Sequence, residues 1–201
     1  MKILAFTDMH GSPKAFQKIK QKSKNADIII CCGDITIFEN DLKKIIKRFD
    51  SLGKTMLIIP GNHEFPEELE ALCKKTKNLH YIEKSYYETD EFIFLGAEGN
   101  GFSIEDKTFR KTAKKFRKII DKNKSKKHIL ITHAPPFGTR HDLLIDEHCG
   151  NKEIKDFIIK AQPAYAFCGH IHENSYTKDT IRKTITMNPG PEGRLIKIQN
   201  N

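Results

Sequence analysis

Eight residues of this chain have side chains suited to holding a cation or moving a proton, and they fall into five short clusters. The clusters are Asp8 with His10, Asp34 after Gly33, Asn62 and His63 within Gly61-Asn62-His63-Glu64, His133 alone, and His170 with His172 within Gly169-His170-Ile171-His172. Singly they say little, since an Asp after a strand often caps the next helix and Gly-Asp is an ordinary turn. The last cluster is the most informative, because histidines at i and i+2 of an extended chain point to one side and can meet one metal centre. Carboxylate, imidazole and amide donors without a thiolate suit borderline-hard divalent ions such as Mn²⁺, Fe²⁺ or Zn²⁺, and seven donors are too many for one ion. Two ions roughly 3.5–4 Å apart, bridged by one carboxylate, would use seven, lower the pKa of a bridging water towards neutrality and clamp phosphate oxygens. The eighth residue is then left for proton transfer.

These residues need elements to bring them together, and the hydropathy pattern supplies an alternation of strand and helix. Short β-branched runs predict strands at 2–6, 27–31, 55–59, 92–95, 128–131 and 164–167. Helices are predicted at 13–22, 41–49 and 66–75, the last with Pro66 at a first helical position and Glu67-Glu68 in its first turn. The segment 176–198 reads as antiparallel strands joined by a turn at Asn188-Pro189-Gly190-Pro191. Every one of the five polar clusters follows a predicted strand. In open α/β sheets the ligand site lies beyond the carboxyl ends of the strands, so all five are expected at one edge.

The 201 residues suggest a single domain over 1–201 that needs no structural metal to stay folded. The chain has 35 Lys+Arg against 26 Asp+Glu, a formal net charge of +9. That charge is local: eleven Lys/Arg against three acids lie between Glu105 and Lys127. There Phe109, Ala113, Phe116 and Ile120 form one apolar stripe, so the lysines fill the outer faces of a solvated helix. Five cysteines without a C-x-x-C spacing suggest neither a disulfide framework nor a thiolate zinc site. Apolar runs are far shorter than the ~20 residues of a membrane helix, so no membrane association is expected. The first apolar run turns polar at Thr7-Asp8, too early for a signal peptide, and the expected location is cytoplasmic.

The ordered series D-x-H, GD, GNHE, a strand ending in His, and GHxH resembles the motif set of the calcineurin-like metallophosphoesterases, over nearly the whole chain from Asp8 to His172. The resemblance implies an α/β four-layer sandwich of two mixed β-sheets flanked by helices. Carried over by position, it implies one metal held by Asp8, His10, Asp34 and His172 and a second held by Asp34, Asn62, His133 and His170, with Asp34 bridging. His63 matches the histidine that contacts the substrate phosphate and stabilises or protonates the leaving oxygen. Asn62 and Arg140 are the expected substrate contacts, Arg140 because a guanidinium on the loop after His133 could grip a phosphate oxygen. The implied cofactor is a pair of divalent ions, Mn²⁺ ahead of Fe²⁺, Zn²⁺ or Ni²⁺.

The stretch Thr132-His133-Ala134-Pro135-Pro136-Phe137-Gly138 resembles the small single-domain branch related to cyclic-nucleotide phosphodiesterases. The expected activity is therefore hydrolysis of a phosphoester, chiefly a phosphodiester, by metal-activated hydroxide, with a small phosphoester as partner. A nuclease is the alternative, favoured by the basic helix but lacking interleaved exposed aromatics. A non-catalytic scaffold, as in the retromer subunit that has lost metal ligands, fits poorly because every ligand position is filled. One departure stands out: the protein serine/threonine phosphatases of the superfamily carry a second Asp three residues after the bridging one, and here Ile37 stands there. The partner that orients His63 must come from elsewhere. Substrate choice is expected to rest on the loops 97–106 and 134–150.

Overall fold

The computed structural model describes residues 1–97 and 103–198. In chain order the first half contains β1 (Lys2–Phe6), α1 (Pro13–Ser23), β2 (Ile28–Cys31), α2 (Leu42–Asp50), β3 (Met56–Ile58), α3 (Pro66–Cys73), β4 (Leu79–Tyr81), β5 (Ser85–Glu88) and β6 (Phe92–Gly96). The second half contains α4 (Lys107–Lys122), β7 (Lys127–Ile131), β8 (Leu143–Leu144), β9 (Glu147–His148), α5 (Lys152–Ala161), β10 (Tyr165–Phe167), β11 (Lys178–Ile181), β12 (Thr184–Met187) and β13 (Arg194–Lys197).

One large sheet has the order β13-β1-β2-β3-β4 and the other β11-β12-β10-β7-β6-β5, while β8 and β9 pair apart from both. Within each, the central strands run parallel and antiparallel strands close an edge. Parallel strands are covered on both faces, so β1 sorts its residues by alternation. Leu4 and Phe6 join α1 and α2 in one core, while Ile3 and Ala5 join Phe94, Ile129 and Phe167 between the sheets. A third core lies outside the second sheet, where Phe109, Ala113 and Phe116 of α4 and Phe157 of α5 pack on Leu95 and Leu130. The layers are helices, sheet, sheet and helices, the four-layer sandwich that the motif resemblance implies.

The end of the chain differs from expectation. The hairpin of β11 and β12 turns at Arg182, which takes φ +52°, and not at 188–191. The latter segment carries the chain from one sheet to the other, where β13 pairs antiparallel with β1. Of the loop 97–106, residues 98–102 lie outside the described residues. Among the described residues no helix is long and apolar enough to cross a membrane.

Candidate metal centre

The five polar clusters meet where β1, β2 and β3 of one sheet and β7 and β10 of the other end. Asp8, His10 and His172 bring ligand atoms within 4.8 Å of one another, as do Asp34, His133 and His170. Asp34 joins the two groups through one atom. Its Oδ2 lies 3.3 Å from His133 Nε2 and 3.9 Å from His10 Nε2. Its Oδ1 instead accepts the backbone N–H of His63 at 3.0 Å, which fixes the carboxylate plane. Asn62 Oδ1 sits between His133 Nε2 at 3.0 Å and His170 Nδ1 at 2.9 Å. Asp34 and His133 form a buried floor, whereas Asn62 and His172 stand exposed at the rim.

The donor chemistry fits cations. The Nδ1–H of His10 donates to the Thr36 carbonyl at 2.9 Å and that of His133 to the Cys32 carbonyl at 2.8 Å, so each ring turns its Nε2 to the centre. His10 Nε2 is 3.0 Å from His172 Nε2, and His133 Nε2 faces the Asn62 and Asp34 oxygens. Carboxylate, imidazole and amide groups converging on one point without a thiolate form a donor set that suits divalent ions. Burial disfavours charge on Asp34 and His133, but their pairing prevails, holding the Asp34 carboxyl at about 2 and pushing His133 up to about 9. His170 moves the other way, to about 4, through burial and the neighbouring His133 charge.

The backbone is bent to make this arrangement. Asp8, His10, Asp34 and His170 all adopt positive φ, between 47° and 75°. Such residues are uncommon outside glycine, and four among seven candidate ligand positions mark a strained, over-determined site. Buried Glu64 supplies part of the restraint: Oε2 accepts from Asp34 N at 2.9 Å and Gly61 N at 3.0 Å, and Oε1 from Thr36 N at 2.9 Å and Thr36 Oγ1 at 2.7 Å. It thus ties the loop after β2 to the loop after β3. Gly33, at φ +97°, allows that approach, since a Cβ there would lie 2.5 Å from Gly61 N. Asn188 acts similarly on the far side, its Nδ2 donating to the Ile171 carbonyl between the two histidines.

The i, i+2 histidines do not serve one side of an extended chain. His170 takes φ +75° and His172 opens a 3₁₀ turn over His172–Asn174, so the pair splits, His170 towards Asn62 and His172 towards His10. Arg140 is exposed, and its backbone N–H donates to Asp179 Oδ2 at 2.9 Å beside β11. Among the described residues no hydrogen bond joins its guanidinium to the centre. Its loop is held by buried Asp142, which accepts from the N–H groups of Gly138, Thr139 and Gly150. A cavity of about 230 Å³ opens beside His10, lined also by Ile37, Asn40, Lys44 and Arg48. A larger groove of about 650 Å³ lies over α2 and touches none of the ligand residues.

The family model of the calcineurin-like phosphoesterases matches residues 1–174. The chain belongs to that family. It is therefore a metal-dependent hydrolase of phosphoesters. An uncharacterized protein from Methanocaldococcus jannaschii is 32% identical over 206 residues, covering 98% of this chain and 91% of its own length. The TT1561 structure from Thermus thermophilus shares the fold with a TM-score of 0.74 at 15% identity, covering 94% of this chain and 88% of that one. A dimetal phosphatase from Danio rerio does so with a TM-score of 0.64 at 11% identity, covering 97% of this chain and 90% of that one.

This calcineurin-like phosphoesterase holds its motif histidine by an unexpected group. With Ile37 at the position of the phosphatases' second Asp, no carboxylate among the described residues pairs with His63 Nδ1; the backbone N–H of Phe38 donates to that atom at 3.3 Å. A neutral His63 consequently carries its proton on Nε2, 4.0 Å from Asp34 Oδ2. Neither this partner nor Glu64 is assigned a role by the sequence. For Glu64 the signal exists, a carboxylate directly after Asn62-His63, but a backbone donor such as Phe38 N–H leaves no mark in residue type.

Proposed function

We propose that this phosphoesterase hydrolyses a phosphodiester at a pair of divalent ions, Mn²⁺ first among them. The observation that carries the reading is the meeting of the two ligand groups at a single Asp34 oxygen. Asp8, His10, Asp34 and His172 would hold one ion, and Asp34, Asn62, His133 and His170 the other. Bound there, such ions supply hydroxide near neutral pH and offset charge on the phosphate oxygens. The chain's own groups do the rest. Asn62 turns its amide oxygen to His133 and His170, which leaves its N–H donors for a phosphate oxygen. Arg140 is proposed as a second grip on the substrate. His63, protonated at Nε2 because Phe38 occupies Nδ1, gives that proton to the departing oxygen.

The diester preference rests on the Thr132–Gly138 stretch and its resemblance to cyclic-nucleotide phosphodiesterases. With Mn²⁺ supplied, bis-p-nitrophenyl phosphate should be turned over with kcat/KM at least about tenfold above p-nitrophenyl phosphate, a difference of about 1.4 kcal/mol. A monoester preference would reverse the substrate assignment, and no turnover of either would remove the function.

A polynucleotide substrate is the second reading, suggested by the charge of α4 but not favoured by where that charge lies. Lys111, Lys114, Lys115 and Lys118 are exposed, while Phe109, Ala113 and Phe116 of the same helix face the sheet. The lysines therefore cover the outer helix layer and not the edge where the strands end. Reversing all four to Glu should change kcat/KM on a small diester by less than about tenfold, with any effect fading as salt screens it. A much larger loss confined to polynucleotides would promote the nuclease reading.

A further inference from the structure

We infer that Phe38 is a stacking platform for a planar ring carried on the leaving side of the substrate, a specificity determinant that rests on the role proposed for His63. Phe38 is 76% exposed, and its ring centroid lies 4.5 Å from that of His63. Single exposed apolar residues are common and need no explanation. Phe38 differs because the chain holds it in an unfavourable conformation. Its φ is +46° and that of Glu39 is +61°, left-handed values that cost a residue with a Cβ about 1 kcal/mol or more. Four hydrogen bonds maintain the bend: Phe38 N to His63 Nδ1, Glu39 N to the His63 carbonyl, Glu39 N to Thr36 Oγ1, and Phe65 N to Glu39 Oε1. The result sets a phenyl ring upright beside the proton donor with most of its surface in solvent. Ile37 and Phe65, 47% and 68% exposed, extend the apolar rim from either side of the same loop contact.

The distances suit a ring close to the scissile bond. A leaving oxygen must come within about 3 Å of His63 Nε2 to take its proton. A planar group a few bonds from that oxygen then falls over the neighbouring ring, at the ~4.5–7 Å centroid spacing that aromatic pairs adopt. Nucleobases fit this requirement, because every base has a π-face and stacking tolerates base identity.

The chain has no tryptophan, so Phe38→Trp installs a sole emitter at the platform. In Mn²⁺-supplemented protein its fluorescence should be quenched by adenosine 5′-monophosphate and not by ribose 5-phosphate, which differs only in lacking the base. As inhibitors of bis-p-nitrophenyl phosphate hydrolysis by the wild type, the nucleotide should bind about tenfold tighter than the sugar phosphate, the scale of one stacked base. Phe38→Ala should abolish that preference, while Phe38→Tyr retains it. Equal quenching by both ligands or by neither, or a preference that survives in Phe38→Ala, overturns the platform. Base-specific quenching in protein that shows no turnover would support it while removing the proposed function, because the fluorescence needs no catalysis.

Discussion

Phe38 fixes the imidazole of His63, and replacing that imidazole by Ala lowers kcat on bis-p-nitrophenyl phosphate by roughly 10²–10⁴, the scale of a lost general acid, with bound metal unchanged. The separation of the two readouts is the point of the experiment. His63 Nε2 lies within 4.0 Å of Asp34 Oδ2 and shares a close group with His10 and Asp34, so proximity alone would allow it to be a ligand. Its hydrogen bonding argues otherwise. Nδ1 accepts from Phe38, which leaves a proton and not a lone pair on the inward nitrogen of the neutral ring. Elemental analysis beside steady-state kinetics checks this, and a metal-depleted His63→Ala protein would make it a ligand.

Asp34→Asn should lose both metal and turnover. The substitution keeps the shape but removes the charge whose Oδ2 stands 3.3 Å from His133, 3.9 Å from His10 and 4.0 Å from His63. Among the described residues no other carboxylate brings a ligand atom to both groups, since Asp8 is grouped with the His10 and His172 side chains and reaches His170 only at its backbone N–H. The expected fall in kcat/KM is at least as large as for His63→Ala, and extra Mn²⁺ should restore little of it. If Asp34→Asn retained both ions, the bridging assignment would be wrong.

The elements that deliver the site were legible because parallel strands buried on both faces write themselves as apolar runs. Ile28–Cys31 and the last three residues of β7, Ile129 to Ile131, are of this kind, and each ends at a polar cluster. Strand β4, three residues long, is too short to show a period. Strand β5, Ser-Tyr-Tyr-Glu at a sheet edge, alternates half-buried and exposed residues without a hydrophobic face strong enough to read. Helix α5 lies outside the predicted elements although Asn151 caps it and Ile154, Phe157 and Ile158 have helical spacing; only three buried positions over ten residues carry the signal. The turn proline and glycine at 189–190 were legible as a break, but a break does not say whether the chain returns to its own sheet or crosses to the other.

At the site, residue types named the candidate donors, but the contacts that hold them are not written in residue type. Positive φ at Asp8, His10, Asp34 and His170 depends on the surrounding loops, and the tautomers of His10 and His133 depend on the carbonyls of Thr36 and Cys32. The division of His170 and His172 between two ligand groups likewise follows from a backbone turn that spacing cannot express.

Exhaustive chelation followed by stepwise return of Mn²⁺ tests the central claim most directly, with hydrolysis of bis-p-nitrophenyl phosphate as the readout. Two ions shared through Asp34 predict that the chelated protein is inactive and that turnover rises to a plateau at two equivalents per chain. Full turnover after exhaustive chelation would contradict metal-dependent catalysis at this centre, and a plateau at one equivalent would contradict the pair.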